Sequence, residues 1–278
     1  MQETLASFVK RVRLERALYL LSHRRRVKLT DVALACGFTS SSDFSRCFRA
    51  HYGVAPRKFD VKTFRHSRRE KMRASLASPG EPNRFARLPT GKNPDGFVAT
   101  LRKLQARRVA YIRVHRPYES DRVPRAVARL LAWAEACGLA DGQWLGYQWE
   151  DPEVVPLEKC RYDIGLVVSG VGNQQHLAPG MSEVAALKRA DATMEPDDGE
   201  VSFTVFPPFL VAEIDIAGSV DLELRALDWL FRTWLPDSGY APAHQPMFEA
   251  FNGRPLAHGM DYFDLRVQLP IVDARLPL

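Results

Sequence analysis

The sequence predicts an α+β protein in two parts, an all-α N-terminal unit followed by a duplicated β-α-β-β unit. Three observations carry this. Charge is split: residues 1–73 hold 18 Lys and Arg against 6 Asp and Glu, a net of +12, while the remainder holds 21 against 27, a net of −6. Apolar residues of the basic part recur at helical spacing. Beyond it, a strand, helix, strand, strand pattern is written twice at an offset of 101–102 residues. A chain of 278 residues is also long enough for two domains.

Composition narrows the function classes. No apolar run reaches the roughly 18 residues needed to cross a bilayer, and Met1 to Lys10 has no signal-peptide pattern, so a cytoplasmic protein without a membrane partner is expected. Cys36, Cys47, Cys137 and Cys160 lack C-x-x-C spacing and read as reduced thiols. His115, His176, His244 and His258 have no metal-ligand spacing, Ser169 lies in no nucleophile elbow, and no Gly-rich phosphate loop occurs. No metal, cofactor or catalytic residue is therefore expected, and the protein reads as a binder rather than an enzyme. A basic head on an acidic body suggests a polyanion-binding module joined to something else, and arginine, which dominates the head, suits phosphates and base edges.

In the head, Leu5, Phe8, Val9 and Val12, extended by Leu14, Leu18 and Leu21, form the stripe of an amphipathic helix that ends at Arg24-Arg25-Arg26. Thr30 is placed as the cap of a short helix, with Asp31 in its first turn, small Ala33 and Ala35 for close packing, and Gly37 to stop it. Ser40 and Asp43 have the spacing of a capping box for a second helix. Its Phe44, Cys47, Phe48 and Tyr52 share one face; Ser41, Ser42, Ser45, Arg46 and Arg49 project from the other, and Gly53 ends it. This helix-turn-helix has the form that major-groove reading of double-stranded DNA requires: short hydroxyls let the helix approach, and an arginine can donate twice to a guanine edge. The five projecting residues are the expected DNA contacts.

The segment VALACGFTSSSDFSRCFRAHYGVAPRKFD resembles the second helix-turn-helix of AraC/XylS-type regulators through Ala33, Gly37, Phe38, Ser42, Phe44, Ser45, Arg46, Phe48, Arg49, Gly53 and Pro56. FVKRVRLERALYLL resembles the family's linking helix. Asp43 departs from the family, standing where an aromatic is usual, and Met1 falls where the first helix-turn-helix would be ending. A further basic helix is expected from about Arg57 to Ala74, then a Pro-, Gly- and Ser-rich linker. The expected division is 1–74 for DNA binding, 75–97 for the linker and 98–278 for the body.

In the body, Val109-Ala110 and Val211-Ala212 lie in the first strands of the two repeats. Ser120 and Ser219 can cap the following helices, whose apolar faces are Val123, Val127, Leu130, Leu131 and Ala134 in one and Val220, Leu224, Leu227, Phe231 and Trp234 in the other. Gly138 and Gly239 end them. WLGYQWED and PMFEAFNG, then YDIGLVV and FDLRVQL, supply the remaining strands. Two such units should pack together and leave a cleft. The segment from Val171 to Val201, with a small helix candidate at Met181 to Arg189, either covers that cleft or connects the repeats.

HRPYES, FEAF and DYFDLRVQLPI give residues 98–272 a resemblance to the GyrI-like effector-binding domain. The resemblance implies a small-molecule pocket between the repeats, lined by aromatics around a carboxylate, and it matches Glu249 to that carboxylate. Strand alternation independently puts Glu249 on one face with Met247 and Phe251, and its counterpart at −101 is Gln148. A carboxylate among aromatic faces suits a cationic, amphipathic effector. Tyr118, Tyr147, Trp149, Phe206, Phe251 and Tyr262 are the expected faces, each equally suited to ordinary core packing. The expected function is a bacterial ligand-responsive transcription regulator, with room for RNA polymerase as a further partner and for a homodimer. A small-molecule hydrolase and a protein-interaction module stay open as alternatives for the body.

Overall fold

The computed structural model describes residues 4–23, 27–76, 88, 91–119, 121–170, 200–259 and 262–275. The expected cap Ser120, the small helix at 181–189 and most of the expected linker lie outside the described residues. Among the described residues the basic head contains the α-helices α1 (Leu5–His23), α2 (Leu29–Ala35), α3 (Ser41–Tyr52) and α4 (Val61–Leu76), with a 3-10 turn at Pro56–Lys58 before α4. Leu14, Ala17, Leu20, Val32, Ala33, Cys36, Phe38, Phe44 and Phe48 form its core. The expected stripe on α1 is buried only from Leu14 onward, while Leu5, Phe8, Val9 and Val12 stay exposed. The expected cap of α2 is corrected: Lys28 occupies that position with extended backbone, and Thr30 lies inside the first turn. Ser40 does cap α3, its hydroxyl accepting from the Asp43 N–H at 3.1 Å. The second half of the capping box does not form, because the Asp43 carboxylate pairs with Arg46 at 2.9 Å.

The body contains β1 (Thr100–Leu104), β2 (Arg107–His115), α5 (Arg122–Ala136), β3 (Trp144–Gln148), β4 (Arg161–Gly170), β5 (Ser202–Phe206), β6 (Phe209–Ser219), α6 (Val220–Trp229), β7 (Tyr240–Pro242), β8 (Met247–Phe251) and β9 (Tyr262–Asp273). A π turn, Leu230–Trp234, continues α6. All strands join one antiparallel sheet in the order β1-β6-β9-β8-β3-β4-β2-β5, with β7 also on β9. The repeat is β2-α5-β3-β4 and β6-α6-β8-β9. Its halves meet where β3 pairs with β8, Gly146 opposite Glu249 and Tyr147 opposite Phe248. Tyr147 and Phe248 are also each other's counterparts at the offset of 101, so the pseudo-twofold axis of the duplication runs between them.

The sheet has two different faces. Helices α5 and α6 cover one, over a core that includes Ile112, Leu130, Ile164, Leu166, Ile214, Leu230 and Val267. The sheet rolls around the other, so that Phe206 in the end strand β5 meets Phe248 in β8 at 4.9 Å despite three intervening strands. Tyr147 and Leu145 fill this second core. All four cysteines are free thiols, Cys36 and Cys160 being buried. Among the described residues, no helix is long and apolar enough to cross a membrane.

Candidate DNA-reading face and effector cavity

Phe44 and Phe48, both fully buried, pin one side of α3 to the head. Helical periodicity then leaves Ser42, Arg46 and Arg49 exposed and Ser41 and Ser45 half-buried. Ser45, Arg46 and Arg49, with Ala50 and Ala55, line a shallow depression. The Arg46 side chain is 79% exposed even while paired with Asp43. That carboxylate accepts from one guanidinium nitrogen, and the largely exposed guanidinium keeps further N–H donors for other partners.

The second site is a cavity of about 1600 Å³ on the helical side of the sheet, bounded by β3, β4, β8 and α6 and closed by α1 and α4. Glu249 lies in it, 9% exposed, accepting a hydrogen bond from the Tyr162 hydroxyl at 2.6 Å. The bond crosses from β4 over β3 to β8, and β3 permits it because Gly146 lies beneath. A Cβ there would collide with the Tyr162 hydroxyl and Glu249 Oε2. Glu223, 6% exposed on α6, is a second carboxylate in the same cavity. Burial and then the nearby Glu249 push its carboxyl well above the usual range. Burial also raises Glu249, with Tyr162 opposing, and the Tyr162 phenol is pushed up by burial and by Glu249. Among the described residues no arginine or lysine is paired with Glu249, so the cavity has an acidic end able to accept a cation or to share protons.

Of the expected effector contacts, Glu249, Phe251, Tyr118 and Trp149 line this cavity. Tyr118 also packs beside Leu18, Val154 and Val155 where the two halves meet. Trp149 borders the cavity, but its ring sides with the opposite face, donating its indole N–H to Asp163 at 2.6 Å and lying 6.0 Å from the Tyr147 ring. Tyr147 and Phe206 do not line the cavity; they are buried in the core on the opposite face of the sheet, because Gln148 and not Tyr147 takes the cavity-facing parity of β3. Tyr262 also departs from expectation, standing 45% exposed at the start of β9 with its ring against His258. Sequence reasoning missed Tyr162, Gly146 and Glu223. A signal for Glu223 existed: it falls at i+3 from Val220 and i−4 from Leu227, within the apolar stripe of α6.

Charged contacts join the head to the body beside the cavity. Arg65 of α4 binds Asp151 at 2.6 Å and Glu153 at 2.8 Å. Arg69 binds Glu153 at 2.9 Å and Asp228 of α6 at 3.2 Å. His23 lies 3.6 Å from Asp151, its ring 4.6 Å from Tyr19 and 5.0 Å from Phe231. Burial pushes the Asp151 carboxyl up, but Arg65 and His23 outweigh it and hold it far below the usual range. Burial lowers His23, Asp151 opposing.

The GyrI-like small molecule binding domain matches residues 99–272, and a helix-turn-helix domain matches residues 1–61. A DNA gyrase inhibitor of Serratia proteamaculans (strain 568) is 27% identical over 164 residues, 58% of this chain and 90% of that protein. The HTH-type transcriptional activator RhaS of Mannheimia succiniciproducens is 36% identical over 55 residues, 20% of each chain. The crystal structure of the EcmrR C-terminal domain superposes with a TM-score of 0.45 at 14% identity, covering 64% of this chain and 99% of that one. The chain belongs to the GyrI-like family, carries an AraC-type helix-turn-helix at its N-terminus, and is a ligand-responsive DNA-binding transcription regulator.

Proposed function

We propose that this regulator responds to a lipophilic, amphipathic cation held at Glu249, and that it releases the ligand unchanged. The observation that carries the reading is a buried carboxylate without a basic partner among the described residues, in a cavity with Tyr118, Phe251 and Met247 on its walls. Such a charge is costly to keep in an empty site and is offset by an ion pair and cation–π contact when a cation enters. Residues 1–74 are the DNA-binding unit, 75–97 the linker and 98–278 the effector-binding unit. Ser41, Ser42, Ser45, Arg46 and Arg49 meet double-stranded DNA in the cytoplasm. RNA polymerase is the machinery such binding recruits or blocks, and a homodimer would present two recognition helices to one operator.

Calorimetric titration with tetraphenylphosphonium, and with a neutral tetraphenyl analogue, tests the reading. Preference for the cation, lost in Glu249→Gln, is the expected result; equal affinity for both compounds would overturn it. A second reading is favoured by one observation, the Glu223, Glu249 and Tyr162 cluster, which has the acid and base groups of a hydrolase. Product appearing on incubation with electrophilic esters, and vanishing in Glu249→Gln, would select that reading instead.

A further inference from the structure

We propose that the DNA-binding half supplies one wall of the effector site, with Tyr19 and His23 of α1, the His23 ring packed on Phe231, closing the end opposite Glu223 and Glu249. The inference rests on the effector reading above and adds residues that no effector-binding domain alone would contain.

The cavity is larger than the roughly 300–1,000 Å³ of ordinary small-molecule sites, and its walls come from both halves. Tyr19 and His23 line it together with Glu249 and Glu223. A single stripe of α6 and its continuation links the two ends, since Glu223, Leu227 and Phe231 follow one another at four-residue steps and all line the cavity. At about 1.5 Å per residue, Glu223 and Phe231 stand roughly 12 Å apart along the helix. A cation whose head reaches Glu249 and whose aromatic tail follows that stripe therefore arrives at Phe231 and the rings packed on it.

These rings are held in place rather than loosely apposed. The His23 Nε2 lies 3.2 Å from an Arg65 nitrogen and 3.6 Å from the Asp151 carboxylate, and its ring sits between Tyr19 and Phe231. A short cation would fill only the acidic end. An extended one would touch α1, the helix whose Leu14, Ala17 and Leu20 belong to the core behind the recognition helix. Effector length would then decide whether the DNA-binding half takes part in binding.

The test titrates the full chain with benzyltrimethylammonium and with its extended relative 4-phenylbenzyltrimethylammonium. Tyr19→Leu and Phe231→Leu should weaken the extended cation by about fivefold or more while leaving the short one within about twofold. Tyr19→Phe, which keeps the ring, should bind like wild type. Thermal melts accompany each titration, and Tyr19→Met repeats the measurement should the leucine variant unfold. If both leucine variants bind the two cations like wild type, while Glu249→Gln weakens both, the shared wall is wrong and the effector reading stands. If Glu249→Gln weakens neither cation, the effector reading itself falls and takes this inference with it.

Discussion

The hydroxyl of Tyr162 donates to Glu249 across 2.6 Å, from one repeat of the duplicated sheet to the other. Substitution Glu249→Gln keeps an acceptor for that phenol and removes only the charge. Affinity for a lipophilic cation should fall by about 1.5–3 kcal/mol, the range of a charge-assisted bond, and a neutral analogue should bind nearly as before. Thermal stability of the empty protein should hold or rise, because a buried carboxylate without a counter-charge opposes folding. Calorimetry and melts on both proteins check this, and an unchanged cation affinity would place Glu249 outside the site.

Acidity should control both stability and binding. Glu223 and Glu249 are both shifted above their ordinary value of 4.5, so the folded protein retains protons that the unfolded chain gives up. Their contribution to stability is fully present below that value and is lost as pH rises through the folded values. The double variant Glu223→Gln/Glu249→Gln should therefore gain most over wild type at alkaline pH, the difference shrinking toward pH 4.5. Asp151 runs the other way: its carboxyl is lowered, so its contribution is present above 3.8 and is lost as pH falls. A cation that displaces one proton should bind up to about tenfold more tightly per pH unit across the range where that carboxyl is protonated in the free protein. Titrations in buffers of different ionisation enthalpy would count the proton; a pH-independent affinity would refute the displacement.

Gly146 matters for the room it leaves. Gly146→Ala should force the phenol off Glu249, costing about 1–3 kcal/mol of stability and weakening cation binding. In a Tyr162→Phe background the hydroxyl that collides is gone, so the same alanine should cost less. Urea melts of the four proteins form the cycle, and strict additivity would show that Gly146 does not make space for Tyr162.

Parts of this site were legible in the sequence because their cause is local. Period-two alternation is a property of any strand, so Met247, Glu249 and Phe251 could be placed on one face before the sheet was seen. The duplication carried further information: Gln148 is the counterpart of Glu249, which assigns it to the same face and Tyr147 to the other. Phe206 was beyond that argument, since β5 lies outside the repeat and its ring is buried only because the sheet rolls. Tyr162 met Glu249 by long-range register, 87 residues apart. The contacts of α4 with the body were least legible. Arg65 and Arg69 read as DNA-binding charge, and their partners lie 86 and 84–159 residues away.

That placement bears on DNA affinity. Arg49 is exposed on the recognition helix, whereas Arg65 and Arg69 are taken up by carboxylates of the body. Arg49→Ala should reduce the slope of log K against log salt by about 0.9, the signature of one phosphate contact. Arg65→Gln should leave the slope unchanged. Arg46→Ala should cost about 1–3 kcal/mol on a preferred operator and relax one base position, and Asp43→Ala, which frees the Arg46 guanidinium, should not mimic it. Fluorescence anisotropy over a salt series measures all four, and equal slopes for Arg49→Ala and wild type would remove Arg49 from the phosphate contacts.

The contact of Asp151 with Arg65 should behave as a buried ion pair, unlike the exposed pairs elsewhere on the surface. Its side chains are 15% and 18% exposed, and the Asp151 carboxylate also accepts the Glu153 N–H at 2.8 Å. Asp151→Asn preserves that local acceptor and removes the charge, so what is lost is the tie between head and body. Removing one partner of a buried pair costs about 3 kcal/mol or somewhat more, against about 0–1 kcal/mol for an exposed one. Asp151→Asn should approach that larger figure without reaching it fully, because Glu153 still holds the guanidinium. The DNA affinity of the ligand-free variant should stay near wild type, since the recognition helix is untouched. The change in DNA affinity produced by saturating tetraphenylphosphonium should shrink, because the head is then less firmly joined to the cavity. Chemical unfolding of both proteins, with anisotropy titrations at saturating and zero cation, gives both quantities. Wild-type stability together with wild-type coupling in Asp151→Asn would show that this ion pair joins nothing.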